Sequence, residues 1–130
     1  MLDASKAYSG FAVDDIQKAK QFYGETLGLD VNELDVGQDL PLLEIRFGGD
    51  RTPVLIYPKP DFTPATYTIL NFPVGDVEGT VDELAAKGVE FERYDGFEQD
   101  EKGIDRSGPA DGIAWFTDPA GNVLAVHGEM

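Results

Sequence analysis

The chain has 130 residues and no cysteine, so it is long enough for one domain with its own core, and disulfides, zinc–thiolate centres, iron–sulfur clusters and thiol catalysis are excluded. Its 25 acidic against 10 basic residues give a formal net charge of −15, which argues against nucleic acid and anionic membranes as partners and leaves two interpretations, attraction of cationic ligands or simple solubility. No apolar run approaches a membrane span, and the first residues lack the apolar core of a signal peptide, so we expect a cytoplasmic protein.

The first half of the chain predicts one strand, one helix and three further strands. Residues 8–13 alternate in character, as in a half-buried strand. Asp14 and Asp15 then offer an N-cap, and apolar residues recur at helical spacing until Gly28, a residue suited to end a helix. Strand-like runs follow at residues 29–34, 42–47 and 54–57, separated by the turn-rich segments 35–41 and 48–53.

A stiff, proline-rich connection over residues 58–65 precedes a second half that repeats the first. Phe11–Asp15 align with Phe72–Asp76 at an offset of 61 positions, and Gly28 aligns with Gly88 at an offset of 60, so the first helix holds one more residue. The predicted elements of the second half are a strand at residues 67–74, an N-cap at Asp76, a helix that ends at Gly88 and a strand at residues 89–93. A repeat of about sixty residues indicates duplicated modules rather than two unrelated strand–helix units.

The chain ends in a long polar segment and a hairpin. Residues 94–111 are rich in Gly, Asp, Glu and Pro, with Phe97, Ile104 and Arg106 interspersed, and form either a lid or a plain solvated connection. Two apolar strands then flank Asp118-Pro119-Ala120-Gly121-Asn122, a turn sequence in which the Asp118 carboxylate is expected to accept bonds from turn amides. The second of these strands begins near Val123.

These motifs carry a family resemblance. The Trp-Phe-Thr-Asp-Pro-Ala-Gly-Asn run at residues 115–122 resembles the closing hairpin of the vicinal oxygen chelate superfamily, which holds glyoxalase I, bleomycin-resistance proteins and extradiol dioxygenases. The Val-x-Asp strand ends at Val13 and Val74, each feeding a helix, are similar to the starts of its two modules. The resemblance implies a single α+β domain, residues 1–130, of two βαβββ modules that form an open, cup-shaped barrel of the glyoxalase/bleomycin-resistance/dihydroxybiphenyl-dioxygenase kind, commonly in a homodimer. The modules would span about residues 5–58 and 66–130.

The superfamily's metalloenzymes bind an ion in the cup, and the resemblance assigns its ligand positions here. They fall on Tyr8, on Ile69, on Leu55 or Ile56 depending on register, and on Ala125. The aliphatic side chains have no lone pair to offer, and a neutral phenol is a poor ligand near neutral pH. We therefore predict that the standard metal site is absent and that no cofactor is bound. The alternative is a relocated divalent metal site built from His127, Glu44 and a pocket aspartate.

A set of side chains is predicted to line the cup and bind a ligand. It comprises Tyr8, Leu55, Tyr57, Ile69, Asn71, Trp115, Ala125 and His127. His127 is the chain's one histidine and the candidate catalytic acid or base, or else a partly solvated residue at a strand end. Asn71 either orients a ligand or satisfies backbone groups, Trp115 is either a cavity wall or a core anchor, and Glu44 and Arg46 share a strand face where they could pair in solvent.

Two classes of function remain after this reading. The first is a metal-free protein, similar to bleomycin-resistance proteins, that binds a small organic molecule such as a drug or metabolite. The second is an enzyme of the lyase, isomerase or dioxygenase class, with a displaced metal site or with metal-free chemistry at His127.

Overall fold

Each half of the chain folds around its own small β-sheet. In the computed structural model, which describes residues 1–37, 40–108 and 111–129, the halves are two units, Met1–Pro64 and Ala65–Met130. The predicted segments 35–41 and 94–111 include residues 38–39 and 109–110, which lie outside the described residues. Within the described residues, no helix has the length and apolarity needed to cross a membrane.

The first unit contains a four-stranded mixed sheet and one helix. After a short 3-10 turn at Ala4–Lys6, its elements are β1 Gly10–Val13, α1 Ile16–Gln21, β2 Asp30–Asp35, β3 Pro41–Arg46 and β4 Val54–Pro58. The strand order is β1-β4-β3-β2, in which β1 and β4 are parallel and the other pairs antiparallel. Leu43, Ile45 and Ile56 are fully buried and form the core of this unit together with Val13 and Tyr23.

Helix α1 starts as predicted and ends differently. The Asp15 carboxylate caps it by accepting from the Gln17 and Lys18 backbone N–H groups at 3.0 and 3.2 Å. The α-helix ends at Gln21 and continues as a π-helical turn, Phe22–Thr26, before Gly28 adopts a φ of 72°. The turn buries Tyr23, whose ring packs on that of Phe11 at 5.6 Å between centroids.

The second unit repeats this connectivity with a three-stranded sheet. Its elements are β5 Thr68–Val74, α2 Val77–Ala86, β6 Ile113–Thr117 and β7 Val123–Gly128, in the order β5-β7-β6. β5 and β7 are parallel, β6 and β7 are antiparallel, and α2 packs against both β6 and β7. Asp76 caps α2 through the Gly79 N–H at 2.9 Å. The Asp118 carboxylate accepts from the Ala120 and Asn122 N–H groups at 3.0 and 2.9 Å, which confirms the predicted turn.

Three local predictions were wrong. The strand expected at residues 89–93 is reduced to one antiparallel bridge between Phe91 and Phe116, next to the hydrogen bond from Glu92 N to Trp115 O at 2.7 Å. Tyr8 precedes β1 instead of belonging to it. Ile69 falls at a register shift between Thr68 and Leu70, so the simple alternation that places Ile69 and Asn71 on one face does not hold. The α+β class is confirmed, and each half contributes one mixed sheet, of four strands in the first and three in the second.

Candidate functional site

The register of the two sheets relates several of the predicted site residues to one another. In the first sheet, Leu55 of β4 lies between Gly10 of β1 and Glu44 of β3. In the second, Ala125 of β7 lies between Asn71 of β5 and Trp115 of β6. Gly10 and Asn71 are 61 positions apart, the offset of the internal repeat, so Leu55 and Ala125 hold equivalent places in the two sheets.

The next row of each sheet extends this equivalence. Tyr57 pairs with Ala12 in the first sheet, and His127 pairs with Pro73 in the second. Paired residues in neighbouring strands point to the same face. The second sheet therefore collects Asn71, Trp115, Ala125 and His127 on one face, as the prediction of a common ligand-binding face requires within this unit. Ile69 lies at the bulge and is not placed there by the ladder.

His127 is held in a defined tautomer. Its side chain is 7% exposed, and Nδ1 lies 2.7 Å from the Gly128 carbonyl oxygen. A carbonyl oxygen only accepts, so Nδ1 must donate, and in the neutral ring Nε2 carries the lone pair. The imidazole is thus oriented by the backbone of the next residue, with Nε2 left to accept a proton or a hydrogen bond.

The predicted residues of the first unit are less enclosed. Tyr8 is 63% exposed and Tyr57 37% exposed, while Leu55 is half-buried. Glu44 is buried and accepts from Arg46 Nε at 2.8 Å, so the predicted pair forms, with the carboxylate inside and the guanidinium largely outside. This ion pair occupies an oxygen of Glu44, one of the carboxylates considered for a relocated metal site.

The segment between α2 and β6 is folded, not a loose connection. The Gln99 side chain accepts from Tyr94 N at 2.8 Å and donates to the carbonyls of Glu92 and Gly103, both at 2.8 Å. Asp100 accepts from the Lys102 and Ile104 N–H groups. Isolated bridges join Gln99 to Asp105 and Asp105 to Ile113, and Ile104 is fully buried. These bonds turn a polar stretch into a fixed wall beside β6.

An open groove of about 670 Å³, here named the Trp115 groove, lies between this wall and β6. It is lined by Gly96, Phe97, Glu98, Asp105, Ser107, Gly108, Ile113 and Trp115. Trp115 forms its aromatic corner, with ring centroids 5.1 Å from Phe97 and 5.6 Å from Tyr94. Trp115 is therefore a wall of this groove and the centre of an aromatic cluster with Tyr94 and Phe97.

The pKa values of Tyr94 and Asp105, beside and within the groove, are shifted. Burial raises the pKa of the Tyr94 phenol, and the nearby Glu92 charge adds to the effect, so the ring stays neutral. Hydrogen bonds from the Ser107 hydroxyl and backbone N–H lower the pKa of the Asp105 carboxyl, which keeps it ionised. The groove thus combines neutral aromatic rings with a persistent negative charge.

Sequence reasoning found Trp115 but missed the other lining residues of the groove. Phe97 is the clearest omission, because an aromatic residue within a stretch of Gly, Asp and Glu stands out from its neighbours. That signal was visible in the sequence. The contribution of Asp105, Ser107 and Gly108 was not, because it depends on the turn that the Asp105 carboxylate makes with Ser107.

The side chains at the four assigned ligand positions decide whether the divalent metal of the superfamily's enzymes could bind here. Of the assigned places, Leu55 and Ala125 are hydrocarbon side chains in equivalent rows, Ile69 is aliphatic, and Tyr8 is a largely exposed phenol. Among residues 1–37, 40–108 and 111–129, no three His, Cys, Asp or Glu side chains are grouped so as to hold a metal ion. The donor chemistry at the assigned positions does not fit such an ion.

Comparison with known proteins gives a family model and a curated relative. The model described as Glyoxalase/Bleomycin resistance protein/Dioxygenase superfamily matches residues 7–126. The uncharacterized protein YetH of Bacillus subtilis (strain 168) is 34% identical over 82 residues, which cover 61% of this chain and 68% of YetH.

Solved structures agree with this match. TnmS3, an antibiotic binding protein from Streptomyces sp. CB03234, superposes with a TM-score of 0.66 at 26% sequence identity. The match covers 99% of this chain and 100% of the TnmS3 chain. A member of the glyoxalase/bleomycin resistance protein/dioxygenase superfamily from Sphaerobacter thermophilus DSM 20745 gives a TM-score of 0.70 at 22% identity, covering 95% and 96%. The second likeness concerns the fold alone.

Proposed function

The chain belongs to the Glyoxalase/Bleomycin resistance protein/Dioxygenase superfamily, and from this premise we propose that it binds a small organic molecule and does so without the divalent metal of the superfamily's metalloenzymes. The observation that carries the proposal is the matched pair Leu55 and Ala125. The two residues hold equivalent places in the two sheets. The family resemblance assigns them to positions where the metalloenzymes carry a carboxylate, and neither side chain has a donor atom.

The face around Ala125 supports binding of a partly apolar molecule. Ala125 and the neighbouring Trp115 offer dispersion and burial, whereas Asn71 and the Nε2 atom of His127 offer hydrogen bonds. Small-molecule sites typically combine an apolar lining with a few such polar groups. The similarity to TnmS3, an antibiotic binding protein, points in the same direction. A drug or a metabolite with one or two polar groups would suit this face.

Metal analysis of protein purified without an affinity tag tests the metal-free part of the proposal. We expect Mn, Fe, Co, Ni and Zn to stay substoichiometric after incubation with each ion and dialysis, because the assigned positions lack donors. One bound equivalent that persists in an Ala125→Leu variant would indicate a relocated site. One bound equivalent that this variant abolishes would contradict the register argument.

A thermal-shift screen of drugs and small metabolites, followed by calorimetry, tests the binding part. For a ligand found in this way, His127→Ala should weaken binding by about 1–3 kcal/mol if Nε2 bonds it directly. Asn71→Ala should weaken binding in the same direction, and Gln21→Ala, an exposed change on α1 of the other unit, should leave the affinity unchanged. Unchanged affinity in both His127→Ala and Asn71→Ala would mean that the binding face lies elsewhere.

The proposal includes a homodimer and a cytoplasmic location. Homodimers are what the family resemblance implies, and the β2 strand at the edge of the first sheet has backbone groups that a partner could cover. Light scattering across micromolar concentrations should give twice the monomer mass, and a monomeric mass would contradict this part. Cell fractionation tests the location.

A second candidate is an enzyme of the lyase, isomerase or dioxygenase class. The observation that favours it is the fixed tautomer of His127, since a backbone-oriented imidazole with a free Nε2 is suited to act as a general base. Turnover of a screened ligand, lost in His127→Ala and partly kept in His127→Gln, would support the enzyme. Binding without turnover supports the binding protein.

A further inference from the structure

The Trp115 groove has a chemical character of its own. Residues of the folded segment from Gly96 to Gly108 form one wall. Ile113 and Trp115 of β6 form the other. All these residues belong to the second unit. The volume of the Trp115 groove, about 670 Å³, falls within the usual range of sites for drug-sized ligands.

The aromatic corner of the groove is preformed and accessible. The Phe97 ring is tilted by 52° to that of Trp115, and half of the Phe97 side chain remains exposed. The Tyr94 ring meets the Trp115 ring at 73° and supports it from the side. Exposed aromatic faces attract flat rings and cations, since the face of the ring is electron-rich.

The wall that presents Phe97 does not depend on a ligand for its shape. Gln99 ties three backbone groups of the segment, and Ile104 anchors it in the core. A binding surface that is already ordered loses less conformational entropy on binding. The segment that carries the exposed Phe97 ring is thus held by Gln99 and Ile104.

The charge of the groove is negative and uncompensated. Glu98 and Asp105 are in its lining, and no basic side chain is among the described residues that line it. Within the described part of the chain, the Glu98 carboxylate takes part in no hydrogen bond or ion pair. The nearby cations are engaged elsewhere: Lys102 Nζ lies 2.9 Å from Glu78, and Arg106 Nη2 lies 3.3 Å from Asp100.

We propose that the Trp115 groove binds the cationic, aromatic end of a small organic ligand, with the ring on Trp115 and Phe97 and the charged nitrogen paired with Glu98. This inference rests on the proposed small-molecule function and assigns the chemical class of the ligand. Aromatic contact and ion pairing act on the same end of the ligand, so a neutral ring or an aliphatic cation satisfies only one of them.

Trp115 is the chain's one tryptophan, so its fluorescence reports directly on the groove. The probes are proflavine, a flat aromatic cation, acridine, its ring analogue that is uncharged at neutral pH, and tetraethylammonium, an aliphatic cation. We expect proflavine to quench Trp115 in a saturable way and to bind at least about tenfold more tightly than either other probe. Added salt should weaken proflavine binding, because it screens the ion pair.

Three variants separate the groove from the general acidity of the protein. Glu98→Gln should weaken proflavine about tenfold and leave acridine unchanged, because it removes a charge and keeps the shape. Phe97→Ser should weaken both ring probes. Glu101→Gln is the matched control, since it removes the same charge from an exposed residue of the same segment outside the groove lining, and it should have no effect. Circular dichroism confirms that each variant is folded.

The outcomes distinguish this inference from the proposed function. Equal proflavine affinity in Glu98→Gln and Glu101→Gln, or equal binding of acridine and proflavine by the unmodified protein, would overturn the cationic class. If neutral ligands from the screen bind and respond to Asn71→Ala or His127→Ala while proflavine does not bind, the proposed function stands and this inference is wrong. If no probe or screened ligand of any charge binds, both are wrong.

Discussion

The two sheets of this protein share a connectivity and differ at one edge. In both, the first and last strands are parallel neighbours, and the strand before the last pairs antiparallel with the last. In the first sheet β2 completes the edge with a ladder of six residue pairs. In the second, two isolated bridges to β6, at Phe91 and at Asp105, replace that ladder. The same topology thus tolerates two quite different edges.

The difference lies in what satisfies the backbone at that edge. Along β2 the partners are backbone groups of β3, so the ladder depends little on side-chain identity. After Phe91 the chain leaves β6 and returns to it at Asp105. Between these points the side chains of Gln99 and Asp100 bond five of its backbone amides and carbonyls, beside a few backbone–backbone bonds. A segment bonded in this way does not form a regular strand along β6. The space left between the segment and β6 is the Trp115 groove.

The largest effect is expected from truncating Ile104, the buried residue that anchors the irregular segment beside β6. Ile104→Ala should lower the free energy of unfolding by about 2–5 kcal/mol, the usual cost of truncating a fully buried Ile. Ile45→Ala, at a fully buried position of β3, is the matched variant and should cost a similar amount. Chemical denaturation measures both. A cost below about 1 kcal/mol for Ile104 alone would mean that the segment is not part of the core.

A smaller effect is expected from the side chain that bonds this edge. Gln99→Ala leaves three part-buried backbone groups without their partner and should cost about 2 kcal/mol. It should also speed amide exchange at Tyr94, while amides of β2 keep their protection. Gln21→Ala, at an exposed position of α1, should cost less than about 0.5 kcal/mol. Equal exchange at both edges in Gln99→Ala would contradict the contrast between them.

The smallest effect concerns the ion pairs between the segment and α2. Hydrogen bonds from Lys102 to Glu78 and Asp82 raise its pKa from 10.5 to about 12. A raised pKa in the folded state means that this stabilisation is complete below pH 10.5 and is lost as the pH rises through 12. The difference in thermal midpoint between the unmodified protein and Lys102→Met should therefore shrink across this interval. It should also shrink in high salt, since the pairs are exposed. A difference in thermal midpoint that stays constant with pH and salt would show that the ion pairs of Lys102 with Glu78 and Asp82 do not stabilise the protein.

Much of the fold was predictable because short-range chemistry decides it. Asp15 and Asp76 cap their helices as expected, and the Asp118 turn forms the predicted hairpin. The alternation rule also placed Ala125 and His127 on one face of β7, whereas the position of Trp115 opposite Ala125 follows only from the register of the structure. In each case the deciding interaction lies within a few residues or within one strand pair.

The remaining features depend on interactions that a residue pattern does not encode. The bulge at Ile69 shifts register by one residue, and the run at residues 89–93 has strand-like composition although most of it pairs with no strand. The groove required Gln99 to bond the backbone of Glu92, Tyr94 and Gly103, and only the folded segment brings Phe97 to Trp115. Strand pairing and irregular side-chain bonds decide these features, and the periodicity of the sequence does not reveal them.

The π-helical turn at Phe22–Thr26 bears on the history of the duplication. The carbonyls of Tyr23 and Leu84, which are 61 positions apart, accept from the amides of Leu29 and Val89, which are 60 apart. The extra residue of the first module therefore lies between Tyr23 and Leu29, where the wider turn accommodates it without disturbing the strand that follows. A single insertion in the first module, or a single deletion in the second, would leave this one-residue difference at the helix end. Deleting Gly24 should accordingly restore an ordinary α-helical end and leave β2 in register.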